Sequence, residues 1–186
     1  MEGGPEVHGM AKSLSEVALD SNCLSYVIDA LEGIGEPEDA LAEQKVALVR
    51  LFLYTPGTLW TLPTVKREFS RISDPKRRAF HESWTNVLFG VRLLNDPGAV
   101  RRRADDLAAI HADEDDRMVL AEAEDIGFAS LLSFDGTFIR RLAPHARLNL
   151  TTPSSCWLAL APPRGTTPCT VPRYDNPLAA QTWWRW

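Results

Sequence analysis

The chain has 186 residues, 45% of them hydrophobic and 24% charged, with a formal net charge of -5. That balance allows an ordinary globular core and fits one domain with a tail. No apolar run approaches the length of a membrane span, which excludes a helical membrane protein, and the net acidity argues weakly against nucleic-acid binding, unless acids gather at a metal site with arginines along its rim.

Local composition divides the chain further. Residues 1–16 read as a flexible leader without the basic and apolar regions of a signal peptide. Residues 17–161 read as the domain, and residues 162–186 as a Pro/Trp-rich strap or tail. The three cysteines, Cys23, Cys156 and Cys169, make no CxxC pair and no zinc spacing. Reduced thiols in a cytoplasmic protein are the simplest account.

Val17-Ala18-Leu19 is a short apolar run that ends in Asp20. Leu24, Val27, Ile28 and Leu31 then share one helical face, and Gly33 and Gly35 stop that helix. Asp20 therefore sits at a strand-to-helix junction, where a plain N-cap role would explain it equally well. The spacing predicts a second amphipathic helix over 38–54, broken by Pro56-Gly57. Residues 58–62 are rich in β-formers and read as a strand. A helix over 65–72 follows and carries Glu68 beside its buried face. A core-facing glutamate needs a partner or a ligand.

Further helices are predicted over 76–89 and 100–111. His111 reads as a surface residue. The acid cluster Asp113-Glu114-Asp115-Asp116 opens the next helix. Residues 129–132 read as a strand, followed by Asp135 in a loop, a short helix over 138–142 and a last strand over 147–150. One more turn or short helix fits 153–160. The order β-α-α-β-α-α-α-α-β-α-β predicts an α/β fold, a mostly parallel central sheet with helices on both faces.

Four acids stand at element junctions: Asp20, Glu68, Asp116 and Asp135. Parallel strands send their carboxyl ends to one edge, where ligands bind in open α/β sheets. Carboxylates converging there raise each other's pKa values. A hard divalent cation such as Mg²⁺ relieves that repulsion through oxygen ligands. Phosphodiester hydrolysis is the chemistry such a site supports. Short basic runs at residues 76–78, 101–103 and 140–141 could line its rim, although each alone reads as a solvated helix face.

This constellation resembles the PIN domain, and most closely the VapC-type ribonuclease toxins of bacterial toxin–antitoxin pairs. The first motif is a strand followed by D-[ST]-N, here Leu19-Asp20-Ser21-Asn22. The second is a glutamate on a helix after the second strand, here Glu68 in PTVKREF. The third is an aspartate with an aliphatic residue three positions on and alanine seven on, matched by Asp116, Val119 and Ala123. The fourth is [ST]-x-D-x-x-F, matched by Ser133-Phe134-Asp135-Gly136-Thr137-Phe138. The resemblance covers residues 17–152.

It implies a Mg²⁺- or Mn²⁺-dependent endoribonuclease with Asp20, Glu68, Asp116 and Asp135 as catalytic and metal residues. Asp113 and Asp115 compete with Asp116, and Asp113 could also bind metal or cap the helix. Asn22 and Ser133 would orient the carboxylates. Lys66, Arg67, Arg140 and Arg141 would hold the RNA backbone. An RNA substrate, a small antitoxin and a homodimer are the implied partners, with no membrane. The alternatives are a PIN-fold nuclease outside such pairs, acting in RNA processing or on DNA, and a PIN-fold binding module without activity. No GxGxxG, P-loop or GxSxG motif competes.

The tail is the remaining signal. Pro162, Pro163, Pro168, Pro172 and Pro177 favour an extended path, and Trp183, Trp184 and Trp186 carry large apolar area. These features predict a strap over 163–186 that docks on its own domain or on a second copy.

Overall fold

The computed structural model describes residues 16–33, 35–55 and 57–186. The expected leader, apart from Glu16, lies outside the described residues. Five short strands form one parallel sheet: β1 (Val17–Leu19), β2 (Leu59–Thr61), β3 (Gly90–Val91), β4 (Ser130–Leu132) and β5 (Asn149–Thr151). Their spatial order is β3-β2-β1-β4-β5, with β1 at the centre. All three residues of β1 are fully buried. Buried on both faces, a parallel strand reads as a continuous apolar run, which is what Val17-Ala18-Leu19 is.

Among the described residues eight α-helices connect and flank the strands. They are α1 (Ser21–Leu31), α2 (Ala42–Tyr54), α3 (Pro63–Phe69), α4 (Pro75–Leu88), α5 (Pro97–Asp106), α6 (Glu114–Ile126), α7 (Gly136–Leu142) and α8 (Pro153–Leu160). Most are started by a side chain. Asp20, Asp74, Asp96, Asp113, Asp135 and Thr152 each accept a backbone N–H in the first turn of the helix that follows. Gly127, at φ 86, ends α6 in the left-handed conformation that glycine adopts without strain.

Several expectations need correction; the helix expected over 65–72 runs over Pro63–Phe69, and the strand expected over 147–150 is Asn149–Thr151. The two-residue strand β3 was not expected, because Gly90-Val91 is too short for any alternating pattern. The helix expected over 38–54 starts only at Ala42, because Asp39 first holds a turn by accepting from the Leu41 N–H at 2.9 Å. The helix expected over 100–111 runs over Pro97–Asp106, and residues 107–110 wind as turns.

The strand order decides where a site can form. From β1 the chain steps outward to β2 and β3, then returns across the sheet to β4 and β5. The order reverses between β1 and β4, whose Leu19 and Leu132 are in register. At such a reversal the crossovers leave on opposite faces and open a crevice beyond the carboxyl ends of the strands. Asp20 follows β1 there, and Ser133 follows β4. The Asp20 N–H donates to the Leu132 carbonyl at 3.0 Å, so the two loops are tied together.

Residues 163–186 lie against their own domain. Leu178 and Trp184 are buried, and the Trp184 indole N–H donates to the Leu178 carbonyl at 3.0 Å. The Thr170 N–H donates to the Leu53 carbonyl at 2.8 Å, which joins the segment to α2. Trp186 packs edge-on against Trp157 of α8, with ring centroids 5.4 Å apart. Among the described residues no helix is long and apolar enough to cross a membrane.

Candidate active site

Asp20 is buried at the end of β1 and accepts from the Cys23 N–H at 2.7 Å. Burial pushes its carboxyl up to about 6, against hydrogen bonds from Ser133 and Cys23 that favour the charged form. The charge of Asp116 raises it further. The Cys23 thiol is held well up by its own burial and by Asp20, so it stays protonated.

Glu68 sits on α3, partly buried. Its carboxyl is also raised, first by burial and then by Asp115, Asp116 and Asp20, while a hydrogen bond with Ser21 opposes the shift. Its Oε2 is buried without a hydrogen-bond partner. Asp116 lies in the first turn of α6. Burial raises its carboxyl too, with Asp113 and Asp135 adding to the effect and His111 opposing it. Asp116 thus adds its charge to both Asp20 and Glu68, and Asp20 adds to Glu68, from three separate elements. Among all pairings available to acids, mutual destabilisation of the charged forms is what a cation would relieve.

The other acids have local duties. Asp113 caps α6 by accepting from the Asp116 N–H at 3.2 Å. Asp115 is paired with Arg67 at 3.1 Å and with Arg71 at 2.6 Å, and these cations hold its carboxyl low despite its partial burial. Asp135 is exposed and caps α7 by accepting from Thr137 and Phe138. Its own N–H donates to the Ser133 hydroxyl at 2.9 Å. Ser133 therefore bridges the Asp20 carboxyl and the backbone of Asp135.

Asn22 does not join that network. It is exposed and makes no hydrogen bond to any of the four carboxylates. On α1 its side chain leaves the helix one residue's rotation away from Ser21, which reaches Glu68 instead. Of the expected backbone-holding cations, Lys66 donates to Asn86 at 2.8 Å, and Arg67 is committed to Asp115. Arg140 and Arg141 are exposed on α7.

Two buried groups were not foreseen. His111, expected at the surface, is buried, and its Nε2 donates to Asp116 Oδ2 at 2.6 Å. Residues 107–110 turn the chain inward before α6 and place the imidazole against the Phe138 ring. Glu122, one helical turn beyond Val119, is also buried. It accepts from the Thr64 N–H at 2.9 Å and the Thr64 hydroxyl at 2.7 Å, capping α3 from a distant helix. The only sequence signal for Glu122 was an acid on the apolar stripe of α6.

Among the described residues, no three His, Cys, Asp or Glu side chains already converge on one point as metal ligands. Each carboxylate is held by its own local donor, and like charges have no reason to crowd together. The donor set is nonetheless all oxygen, and the unpartnered Glu68 Oε2 is an acceptor still to be satisfied. Both features fit a hard divalent cation. No protein-family model matches the chain, and no curated protein matches its sequence.

Proposed function

We propose that this chain is a divalent-metal-dependent endoribonuclease of PIN-like fold. The observation that carries the reading is the set of Asp20, Glu68 and Asp116. Three carboxylates from separate elements stand beside the strand-order reversal between β1 and β4, each raised first by burial, and the charge of Asp116 adds to the rise at both Asp20 and Glu68. Keeping buried acids there costs stability, and ion binding would recover it.

In this reading Asp20, Glu68 and Asp116 would hold Mg²⁺ or Mn²⁺, and Asp135 would complete the rim. Such an ion, when bound, stabilises charge on a phosphodiester in hydrolysis and lowers the pKa of water. The chain's own residues set the geometry. Ser133 fixes Asp20 relative to Asp135, Ser21 holds Glu68, and His111 holds Asp116. The exposed Arg140 and Arg141, with Lys66, would hold the RNA backbone by charge. The four-motif resemblance favours the toxin of a toxin–antitoxin pair, with a small antitoxin and a second copy as partners. A nuclease outside such pairs would use the same residues.

Metal titration tests the reading. Mg²⁺ should raise the melting temperature because it binds the folded cluster alone, and Mn²⁺ should do so at lower concentration. Asp116→Asn should blunt both shifts. A melting temperature that stays flat across both titrations would refute it.

A further inference from the structure

Beside the acids a cleft of about 430 Å³ opens, and Asp135 is part of its wall. Two aromatic side chains shape it. Phe134 follows β4, Tyr26 lies on α1, and their rings meet edge-on with centroids 6.0 Å apart. Phe134 is partly buried and Tyr26 only 8% exposed. The Tyr26 hydroxyl is buried and has no hydrogen-bond partner. A buried hydroxyl without a partner is costly and calls for a ligand group that will meet it.

Polar groups surround the aromatic pair. Asn22, which takes no part in holding the carboxylates, presents its exposed amide to this cleft, and Ser25 adds a hydroxyl. The Lys45 ammonium stands 5.1 Å from the centre of the Tyr26 ring and also pairs with the exposed Asp39. Arg77 reaches Asp29 at 3.0 Å on the same wall. An apolar ligand would strand the Tyr26 hydroxyl and the Asn22 amide. An unstacked nucleobase would satisfy them, because it offers a flat π-face together with edge donors and acceptors. Aromatic side chains beside cations are the usual platform for single-stranded nucleic acid.

We propose that this cleft seats one unstacked base of single-stranded RNA next to the bond that the acids cut. The inference rests on the nuclease reading of the site. Phe134 supplies the stacking face, while the Tyr26 hydroxyl and the Asn22 amide meet the base edge. Lys45 exchanges Asp39 for the flanking phosphate. Placement beside the cut follows from the chain itself. Asn22 is two residues from Asp20, and Phe134 lies between Ser133 and Asp135, so the cleft adjoins the two acids that follow β1 and β4. Duplex RNA, with every base stacked and paired, has nothing to insert.

The test is binding of short fluorescent homopolymeric oligoribonucleotides to the full chain in EDTA, where nothing is cut. The parent should bind at least one homopolymer more tightly than a duplex of the same length. Phe134→Ala and Phe134→Leu should each weaken that binding about tenfold. Tyr26→Phe should narrow the preference among the four bases while the melting temperature holds. The leucine variant keeps the proposal testable if the alanine variant unfolds. A parent that prefers a homopolymer, with all three variants binding as it does, would overturn the cleft and leave the nuclease reading standing. A parent that binds no RNA in EDTA would overturn the cleft as well, while the metal titration decides the nuclease reading on its own.

Discussion

The Nε2 of His111 donates to Oδ2 of Asp116 at 2.6 Å, across the start of α6. This bond holds one carboxylate of the candidate site in a fixed rotamer. Its removal should matter more for ion binding than for folding. His111→Ala should weaken Mn²⁺ binding by about tenfold or more, the usual effect of losing a group that orients a ligand. His111→Gln, which can still donate, should restore part of it. Titration of bound Mn²⁺ by electron paramagnetic resonance reads both. Equal affinity in the parent and the alanine variant would mean that Asp116 is not a ligand.

The raised carboxyls predict an unusual pH profile for the metal-free protein. Asp20 stands at about 6 in the folded chain, against an ordinary value of 3.8. Between those values the folded state holds a proton that the unfolded state has released. Its stabilising effect is therefore full at low pH and is lost as pH rises through that window. A shift of about two units corresponds to about 3 kcal/mol. Glu68, Asp116 and Glu122 are raised by burial as well, so they act in the same direction. Asp20→Asn should flatten this part of the profile and stabilise the protein at pH 7. Urea unfolding in EDTA at a series of pH values measures it. A variant with the parent's slope between pH 4 and 6 would contradict the burial account.

Arg50 predicts how the C-terminal segment is held. Its guanidinium donates to the carbonyls of Trp184 at 3.1 Å and Arg185 at 2.9 Å, and lies over the Trp186 ring. Trp184→Ala should cost about 3–5 kcal/mol, as expected for deleting a buried tryptophan. Tyr174→Ala, at a ring 94% exposed, should cost less than about 0.5 kcal/mol. Truncation after Pro162 should lower the melting temperature and red-shift the tryptophan emission. If the Trp184 variant and the truncation both unfold at the parent's urea midpoint, the segment is not part of the core.

The legible parts of the sequence were those with local causes. Val17-Ala18-Leu19 is an apolar run and Leu59-Trp60-Thr61 is rich in β-formers, each bounded by turn or cap residues, and Asp20 and Asp135 announce helix starts within three positions. The acids at those junctions could be read for the same reason. Gly90-Val91 could not, because two residues pair with β2 only once the sheet exists. Glu122 caps Thr64 from 58 positions away, a relationship that no window reveals. His111 depended on where α5 ends. Once Leu107 to Ile110 leave the helix, the next side chain turns inward, and periodicity alone carried the helix too far.

Cleavage of a mixed pool of single-stranded RNAs tests the central claim most directly. The parent should cut in Mg²⁺ or Mn²⁺ and stop in EDTA. Asp20→Asn, Glu68→Gln and Asp116→Asn should each fold and lose cleavage by a factor of about 100 or more, as expected when a group acts on the transition state. Asp105→Asn, whose exposed carboxylate pairs with Arg101 and is not among the charges that raise the site acids, should cut like the parent. Cleavage that persists in EDTA, or that falls equally in the Asp105 variant, would contradict the account.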